Sequence, residues 1–270
     1  MKVNVIGGGW VTAVQWGRMT DGTKPIMAAG DLPIPPVDEI YLNPPVRYRR
    51  FDRYCQIGCA AIALTLKDAG MDCAESTRPI GIIASTRYGC FETDLAFYAT
   101  AREEEGIYAS PSLFAFTLPG IAISEAAIHF RLTGPTFTVG DPIGQRGYNA
   151  LCLAVDLLSS GTCRTVLAGW LDAGNRLLKQ KAADDDGVRG AIFIALSTGH
   201  EEKTIQHIRQ KDSELLAESG MKIRTIMDLV NGRPTLQGLP ESIFFPNASF
   251  ASERFRGRNV LSSTSFRTTC

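Results

Sequence analysis

The chain alternates between short, unbroken apolar runs and longer stretches in which apolar residues recur every three or four positions. The short runs are rich in β-branched residues and predict buried strands, whereas the longer stretches predict amphipathic helices. The predicted strands are 3–6, 79–86, 136–139, 165–171 and 190–196. The predicted helices are 52–69, 92–105, 122–130 and 148–160. This alternation is typical of an α/β fold, and we expect a mainly parallel sheet with helices on both faces.

The most informative stretch is 134–151, where a strand, a tight turn and a helix follow one another. The residues that interrupt regular structure after the strand are Gly140, Asp141, Pro142 and Gly144. Helical spacing begins at Gly147, and we call residues 140–147 the elbow. Enzymes often place a nucleophile at such an elbow, because the free backbone N–H groups of the helix N-terminus stabilise negative charge.

Composition narrows the classes of function. The 270 residues include 28 Lys plus Arg and 28 Asp plus Glu, so the balanced charge argues against a nucleic acid or a membrane surface as partner. The seven cysteines are odd in number and lack CxxC spacing, which favours reduced thiols and a cytoplasmic protein. The three histidines show no metal-ligand spacing, so we expect neither a metal nor a cofactor.

The stretch around the elbow resembles the nucleophile elbow of the β-ketoacyl synthases, which belong to the thiolase superfamily. The resemblance rests on Gly134-Pro135, on Thr138-Val139 and on Gly147. The family carries its catalytic Cys in the turn, and here no Cys is present. Counting forward from Val139 places the missing Cys at Ile143, and counting back from Gly147 places it at Gly144. Gln145 lies beside that position, and chain-length-factor subunits, the inactive partners in polyketide synthase pairs, carry Gln there.

A second segment supports the resemblance. The basic cluster 47–53 precedes an Ala-rich helix that ends at Gly70, as in ketosynthases. The resemblance implies a thiolase-like fold whose first half, 1–198, is complete and has a βαβαβαββ order in a mixed sheet. It also implies an abbreviated second half, 199–270, packed on the first.

The tail matches the family less closely. We expect a helix at 213–219 and a strand at 226–230. The resemblance places Asn231 where the family has a catalytic His and aligns Glu241 with a family Glu. It also aligns 259–263 with the strand before the family's Lys, where no Lys occurs.

The resemblance implies a catalytically inactive subunit of fatty-acid or polyketide-type chain assembly, paired with a second copy or with an active ketosynthase. The strand expected to pair across that dimer comprises Thr136, Phe137, Thr138 and Val139. The expected acyl pocket comprises Phe114, Phe116 and Gln145. An acyl carrier protein is a further expected partner, and its docking residues would be Arg47, Arg49 and Arg50. These arginines could instead be a solvated helix start that forms ion pairs with Asp52.

Two alternatives remain open from the sequence. An acyl-transfer or hydrolytic enzyme could have rebuilt its site around Cys90, which follows the predicted strand 79–86. A nucleotide-binding α/β protein could use the glycine turn Gly7–Gly9, although GGGWVT lacks the third glycine of the dinucleotide fingerprint.

Overall fold

The computed structural model describes residues 2–73, 75–173, 187–199 and 204–231, all of which belong to one compact unit. Its centre is a sheet of eight strands. These are β1 (Lys2–Thr12), β2 (Trp16–Arg18), β3 (Ile80–Thr86), β4 (Thr136–Gly140), β5 (Thr165–Asp172), β6 (Gly190–Ser197), β7 (Gln206–Lys211) and β8 (Glu214–Ala217).

The strand order is β4-β3-β5-β6-β1-β7-β8, and β2 pairs with β1. Pairing is parallel between β4 and β3 and between β3 and β5. All other pairs are antiparallel, because β6 runs against both of its neighbours and the last two strands form a hairpin beside β1. The mixed sheet is therefore confirmed, but the expectation of mainly parallel pairing was wrong.

Seven α-helices lie in the described part of the chain. They are α1 (Val37–Ile40), α2 (Arg53–Asp68), α3 (Phe91–Arg102), α4 (Pro111–Phe114), α5 (Ile121–His129), α6 (Tyr148–Ser159) and α7 (Ile226–Asn231). The four predicted helices appear as α2, α3, α5 and α6. Asp52 is the N-cap of α2, and its side chain accepts a hydrogen bond from the N–H of Cys55 at 2.8 Å.

The two faces of the sheet bury separate apolar cores. One face packs against α2 and α5 and includes Ile82 and Leu167. The other packs against α6 and α7 and includes Ile83 and Val166. Successive residues of one strand thus point to opposite cores, which explains why these strands are apolar throughout. The βαβαβαββ order of the first half and the helices on both faces are as expected for a thiolase-like fold.

The sequence predicted a glycine turn at Gly7–Gly9, but in the structure the three glycines lie inside β1. A Cβ at Gly9 would lie 2.6 Å from the Cβ of Leu64, and one at Gly7 would lie 2.7 Å from the N of Ala69. The alternating glycines therefore let α2 lie directly on the strand. They are buried beneath that helix, so a phosphate-binding loop at 7–9 is excluded.

Both secondary-structure predictions for the tail were wrong. Residues 213–219 contribute to a hairpin of β7 and β8, whose turn residues Asp212 and Ser213 have φ of 49° and 65°. Two positive φ values in succession match the twist of a two-residue hairpin, and this turn chemistry outweighed the helical spacing. Residues 226–231 form α7, and the N–H groups of Arg224 and Thr225, just before it, donate to the carboxylate of Asp228 within the helix.

The division of the chain at residue 198 remains a prediction. The described tail adds β7 and β8 to the same sheet, through pairing of β7 with β1. Glu241 and 259–263 lie outside the described residues.

Gly9→Ala tests the close contact of α2 with β1. The added methyl group would overlap Leu64 and the backbone of Thr65. We expect a loss of about 1–3 kcal/mol in the free energy of unfolding, measured by denaturant titration. The control is Gly140→Ala, because that glycine is exposed and a Cβ there has no neighbour within 4 Å. Its loss should be within about 0.5 kcal/mol. Equal losses in the two variants would contradict the packing described.

Candidate functional site at the carboxyl ends of the parallel strands

The parallel strands β4, β3 and β5 end side by side, and polar residues gather at that edge. Ligand sites of open α/β sheets form at such carboxyl ends. A cleft of about 30 Å³ lies there, room for water-sized molecules and far too little for an acyl chain. Its lining residues are Arg87, Tyr88, Asp141, Pro142, Gly144, Arg146, Trp170, Asp172 and Val188.

Asp172, the last residue of β5, is buried and richly hydrogen-bonded. Its carboxylate accepts from the Thr86 hydroxyl at 2.6 Å, the Tyr88 N–H at 2.9 Å and the indole N–H of Trp170 at 2.8 Å. The N–H of Arg87 donates to both carboxylate oxygens, at 3.0 and 3.1 Å. Burial raises the pKa of this carboxyl, and the hydrogen bonds partly offset the rise. Asp172 thus joins the loop after β3 to the end of β5.

Asp141 occupies a comparable position in the elbow. Its carboxylate accepts from the Ser85 hydroxyl at 2.6 Å and from the N–H of Gly147 at 2.7 Å. Burial raises the pKa of Asp141, and the nearby charge of Asp172 raises it further. The N–H of Asp141 also donates to the carbonyl of Thr86 at 3.0 Å, which continues the parallel ladder past β4. The elbow is therefore tied to β3 by both its backbone and its side chain.

The helix after the elbow begins against α7. Gly147, the N-cap of α6, has a φ of 81°, and a Cβ there would lie 2.7 Å from the Cβ of Ile226. Ile226 also donates its N–H to the carbonyl of Arg146 at 2.9 Å. The Arg146 guanidinium in turn lies over the Trp170 ring, 5.4 Å from its centroid. The first turn of α7 therefore covers the N-terminus of α6.

The residues predicted at or beside the missing nucleophile position all lie in the elbow. Ile143 is 50% exposed, and Gln145 is exposed as well. Gly144 has a φ of 74° and is the one residue of the three that lines the cleft. Asn231 ends α7, and its carbonyl accepts from the Lys24 ammonium at 2.9 Å. Ile226, at the other end of the same helix, makes the contact with the elbow.

Cys90 is buried just before α3, and its sulfur lies 3.6 Å from an Asp94 carboxylate oxygen. Burial, together with the Asp94 charge, raises the pKa of this thiol to about 12. Of the two described histidines, His129 packs against Tyr41 and Phe130, and His207 bonds to Asn4. Neither is a hydrogen-bond partner of Cys90.

Phe114 and Phe116 do not line the cleft. Phe114 is 62% exposed and packs against Phe97, with ring centroids 5.3 Å apart. Phe116 is half-buried against Phe51, at 6.0 Å. An acyl pocket that contains these rings and Gln145 stays a prediction.

The predicted docking arginines Arg47, Arg49 and Arg50 are exposed around a short 3₁₀ turn. Arg47 forms an ion pair with Glu125 at 3.3 Å. Asp52, the ion-pair partner considered from sequence, instead bonds to the Cys55 N–H and the Thr93 hydroxyl.

Sequence reasoning missed the roles of Asp141, Asp172 and Ser85. The sequence marked Asp141 only as a turn residue, and Asp172 only follows the predicted strand 165–171. The available signal was their position: each acid lies at the carboxyl end of a predicted strand, where strand ends and helix starts supply backbone donors.

The described residues hold neither a metal-binding cluster nor a membrane-spanning helix. No group of three or more His, Cys, Asp or Glu is arranged there to hold a metal ion. No helix there is long and apolar enough to span a membrane.

Asp172→Asn tests the hydrogen bonding of the cleft. The amide group places a donor where the carboxylate accepts from several donors, so at least one buried group loses its partner. We expect a loss of about 1–3 kcal/mol in the free energy of unfolding, together with a lower Tm. Asp212→Asn is the control, because that residue is exposed and Asn tolerates its positive φ. A control as unstable as the Asp172 variant would show that the buried hydrogen bonds contribute little.

Three solved structures with the same fold include ketosynthase complexes. The ishigamide ketosynthase/chain length factor superposes with a TM-score of 0.61 at 19% identity, covering 77% of this chain and 66% of that one. A ketosynthase (ApeO) in complex with its chain length factor (ApeC) from Xenorhabdus doucetiae superposes with a TM-score of 0.56 at 14% identity, covering 78% of this chain and 83% of that one.

The third is AntDE:AntF, a type II polyketide synthase acyl carrier protein in complex with its ketosynthase. It gives a TM-score of 0.53 at 15% identity, with coverages of 77% and 67%. At these identities the likeness concerns the fold, and the chain spans just under two thirds of the ishigamide protein chain.

No curated protein matched the chain. The family model for the β-ketoacyl synthase N-terminal domain, in contrast, matches residues 37–182, which is more than half of the 270 residues. The matched region runs from α1 past β5 and includes β3, β4 and the elbow. The chain therefore belongs to the β-ketoacyl synthase family, through the N-terminal domain of that family.

Proposed function

We propose that this chain is a non-catalytic β-ketoacyl synthase homologue that acts as the partner subunit of an active ketosynthase in fatty-acid or polyketide-type chain assembly. The observation that carries the proposal is the state of the elbow. It contains no Cys, and its helix N-terminus already holds the carboxylate of Asp141. At the two candidate nucleophile positions, neither Ile143 nor Gly144 can form a thioester.

The chemistry of the family supports the same conclusion. Claisen condensation needs a thiolate to hold the acyl group and imidazoles that assist decarboxylation and stabilise the enolate. Asn231, in the place assigned to a family His, can donate a hydrogen bond but cannot carry a proton near neutral pH. Within the described residues, the cleft beside the elbow is about 30 Å³, which is much smaller than an acyl chain.

The surface around β4 fits a protein partner. β4 is the edge strand of the sheet, and every residue from Thr136 to Val139 is half-buried. A second feature is the set of exposed large apolar side chains on α3, α4 and the segments beside them, which we call the apolar patch: Tyr98, Ile107, Tyr108, Phe114 and Leu118. Exposed apolar patches and unpaired strand edges mark sites of protein association. In the proposed complex, the β4 edge and the apolar patch both contact the ketosynthase. Phe114 contributes to that interface or to an acyl pocket that the ketosynthase completes.

An acyl carrier protein is the second proposed partner. Arg47, Arg49 and Arg50 present positive charge beside exposed Val46, and Ile128 lies one helical turn beyond Glu125, the ion-pair partner of Arg47. Basic side chains around apolar ones suit an acidic protein surface that carries a phosphate-linked arm.

The backbone pattern of β4 supplies a selective test of the dimer edge. The Pro135 carbonyl and the Asp141 N–H both bond to β3, so alternate residues between them face β3 and Thr138 presents its N–H to the open edge. Thr138→Pro removes that donor and leaves the bonds to β3 in place. Thr138→Val is the control, because it keeps the N–H.

We expect the wild type and Thr138→Val to co-purify with a ketosynthase of the same organism as a dimer by light scattering, and Thr138→Pro to lose most of this binding. None of the isolated chains should release carbon dioxide from a malonyl thioester above background. A wild-type chain that stays monomeric and binds no ketosynthase would contradict the proposal. Turnover by the wild type without a partner would contradict its inactivity.

Alkylation kinetics test the rebuilt enzyme with Cys90 as nucleophile. With a pKa of about 12, the thiolate fraction at pH 8 is roughly 10⁻⁴, and burial slows the reaction further. Iodoacetamide should therefore modify exposed Cys73 well before Cys90, as followed by peptide mass spectrometry. Faster labelling at Cys90, abolished in Cys90→Ser and kept in Cys73→Ser, would favour the enzyme instead.

A further inference from the structure

The N-terminus of α6 already donates a hydrogen bond to a carboxylate of the same chain, that of Asp141. The first N–H groups of a helix have no partner within the helix and attract negative charge, and α6 is 12 residues long. Here the Asp141 carboxylate accepts from the Gly147 N–H at 2.7 Å and from the Ser85 hydroxyl at 2.6 Å. Donors from two elements therefore converge on one anion.

The second set of donors around the cleft is filled in the same way. The N–H groups of Arg87 and Tyr88 and the Thr86 hydroxyl all point to Asp172. The cleft thus has backbone donors of the kind that stabilise an oxyanion, but carboxylates of the same chain accept from them.

We infer that Asp141 is an internal anion that seals the elbow against acyl thioesters. A thioester carbonyl that approached Gly144 would develop negative charge beside the Asp141 carboxylate, which already accepts from the Gly147 N–H. The inference rests on the proposed function, because it states how a non-catalytic subunit keeps acyl groups off its own elbow. It also predicts a gain of reactivity when the carboxylate is removed.

The test places a thiol in the cleft with and without the carboxylate. Gly144→Cys puts a sulfur beside Asp141, since Gly144 lines the cleft. In the reaction with acetyl-thiophenol, the Cys thiolate attacks the carbonyl carbon, a new carbon–sulfur bond forms, and the bond to thiophenol breaks. Thiophenolate leaves and takes up a proton from solvent. Acetylated protein is quantified by mass spectrometry against time.

We expect Gly144→Cys/Asp141→Ala to be acetylated roughly 10-fold faster or more than Gly144→Cys, because an oxyanion donor contributes at least that factor. Gly144→Cys/Asp141→Asn should lie between the two, since the amide keeps an oxygen at that place but removes the charge. The Asn variant also replaces the Ala variant in this comparison if the Ala variant does not fold. The control is Ile143→Cys, a half-exposed position outside the cleft lining, whose acetylation rate should not depend on residue 141.

A second measurement needs no added thiol. Formate should raise the Tm of Asp141→Ala in a saturable way, beyond an equal concentration of chloride, because it can occupy the place of the missing carboxylate. The wild type should show no difference between the two salts.

Equal acetylation of Gly144→Cys with and without the Asp141 carboxylate would overturn the inference, as would an Asp141→Ala chain that responds to formate only as the wild type does. These readouts do not involve the β4 edge. If these tests fail while the chain still binds a ketosynthase, only the role inferred for Asp141 is wrong. If the wild-type chain binds no ketosynthase, the proposed function is wrong.

Discussion

The architecture of the site depends on one constraint, the burial of the Asp172 carboxylate at the end of β5. A buried charge is costly unless hydrogen bonds replace its water. Here the donors come from Thr86, Arg87, Tyr88 and Trp170, so the loop after β3 must fold back onto β5 to supply them. That requirement fixes the wall of the cleft, and the elbow then closes against it through Asp141 and Ser85.

The packing of the helices depends on a different constraint, the absence of a side chain at three glycines. Gly7 and Gly9 allow α2 to approach β1, and Gly147 allows α7 to approach the elbow. Each contact joins segments far apart in the sequence, so none of them is visible as a local pattern. Together they place a helix on each face of the sheet and bring the tail onto the elbow.

The sequence predicted what depends on local pattern and missed what depends on long-range contact. The strands around Ile82, Val166 and Phe193 and helices such as α2 were found because their apolar spacing is strong. The glycine run of β1 was misread as a turn, because glycine serves both turns and close contacts. The hairpin at Asp212 was misread because its two positive φ values have no signature in the apolar spacing. The resemblance located the elbow, but only the structure shows the Asp141 carboxylate accepting from the Gly147 N–H.

The elbow has a structural use that survives without a nucleophile. The Asp141 N–H extends the pairing of β4 with β3, and the Gly140 carbonyl accepts from the Asn149 side chain at 2.7 Å, which joins β4 to α6. These bonds hold the edge strand in register with the sheet, with alternate N–H groups facing outward. In the proposed subunit, the same turn that holds a catalytic Cys in the family instead fixes the edge offered to the ketosynthase. A carboxylate serves this purpose better than a thiol, because it accepts several hydrogen bonds at once, here from the Ser85 hydroxyl and the Gly147 N–H.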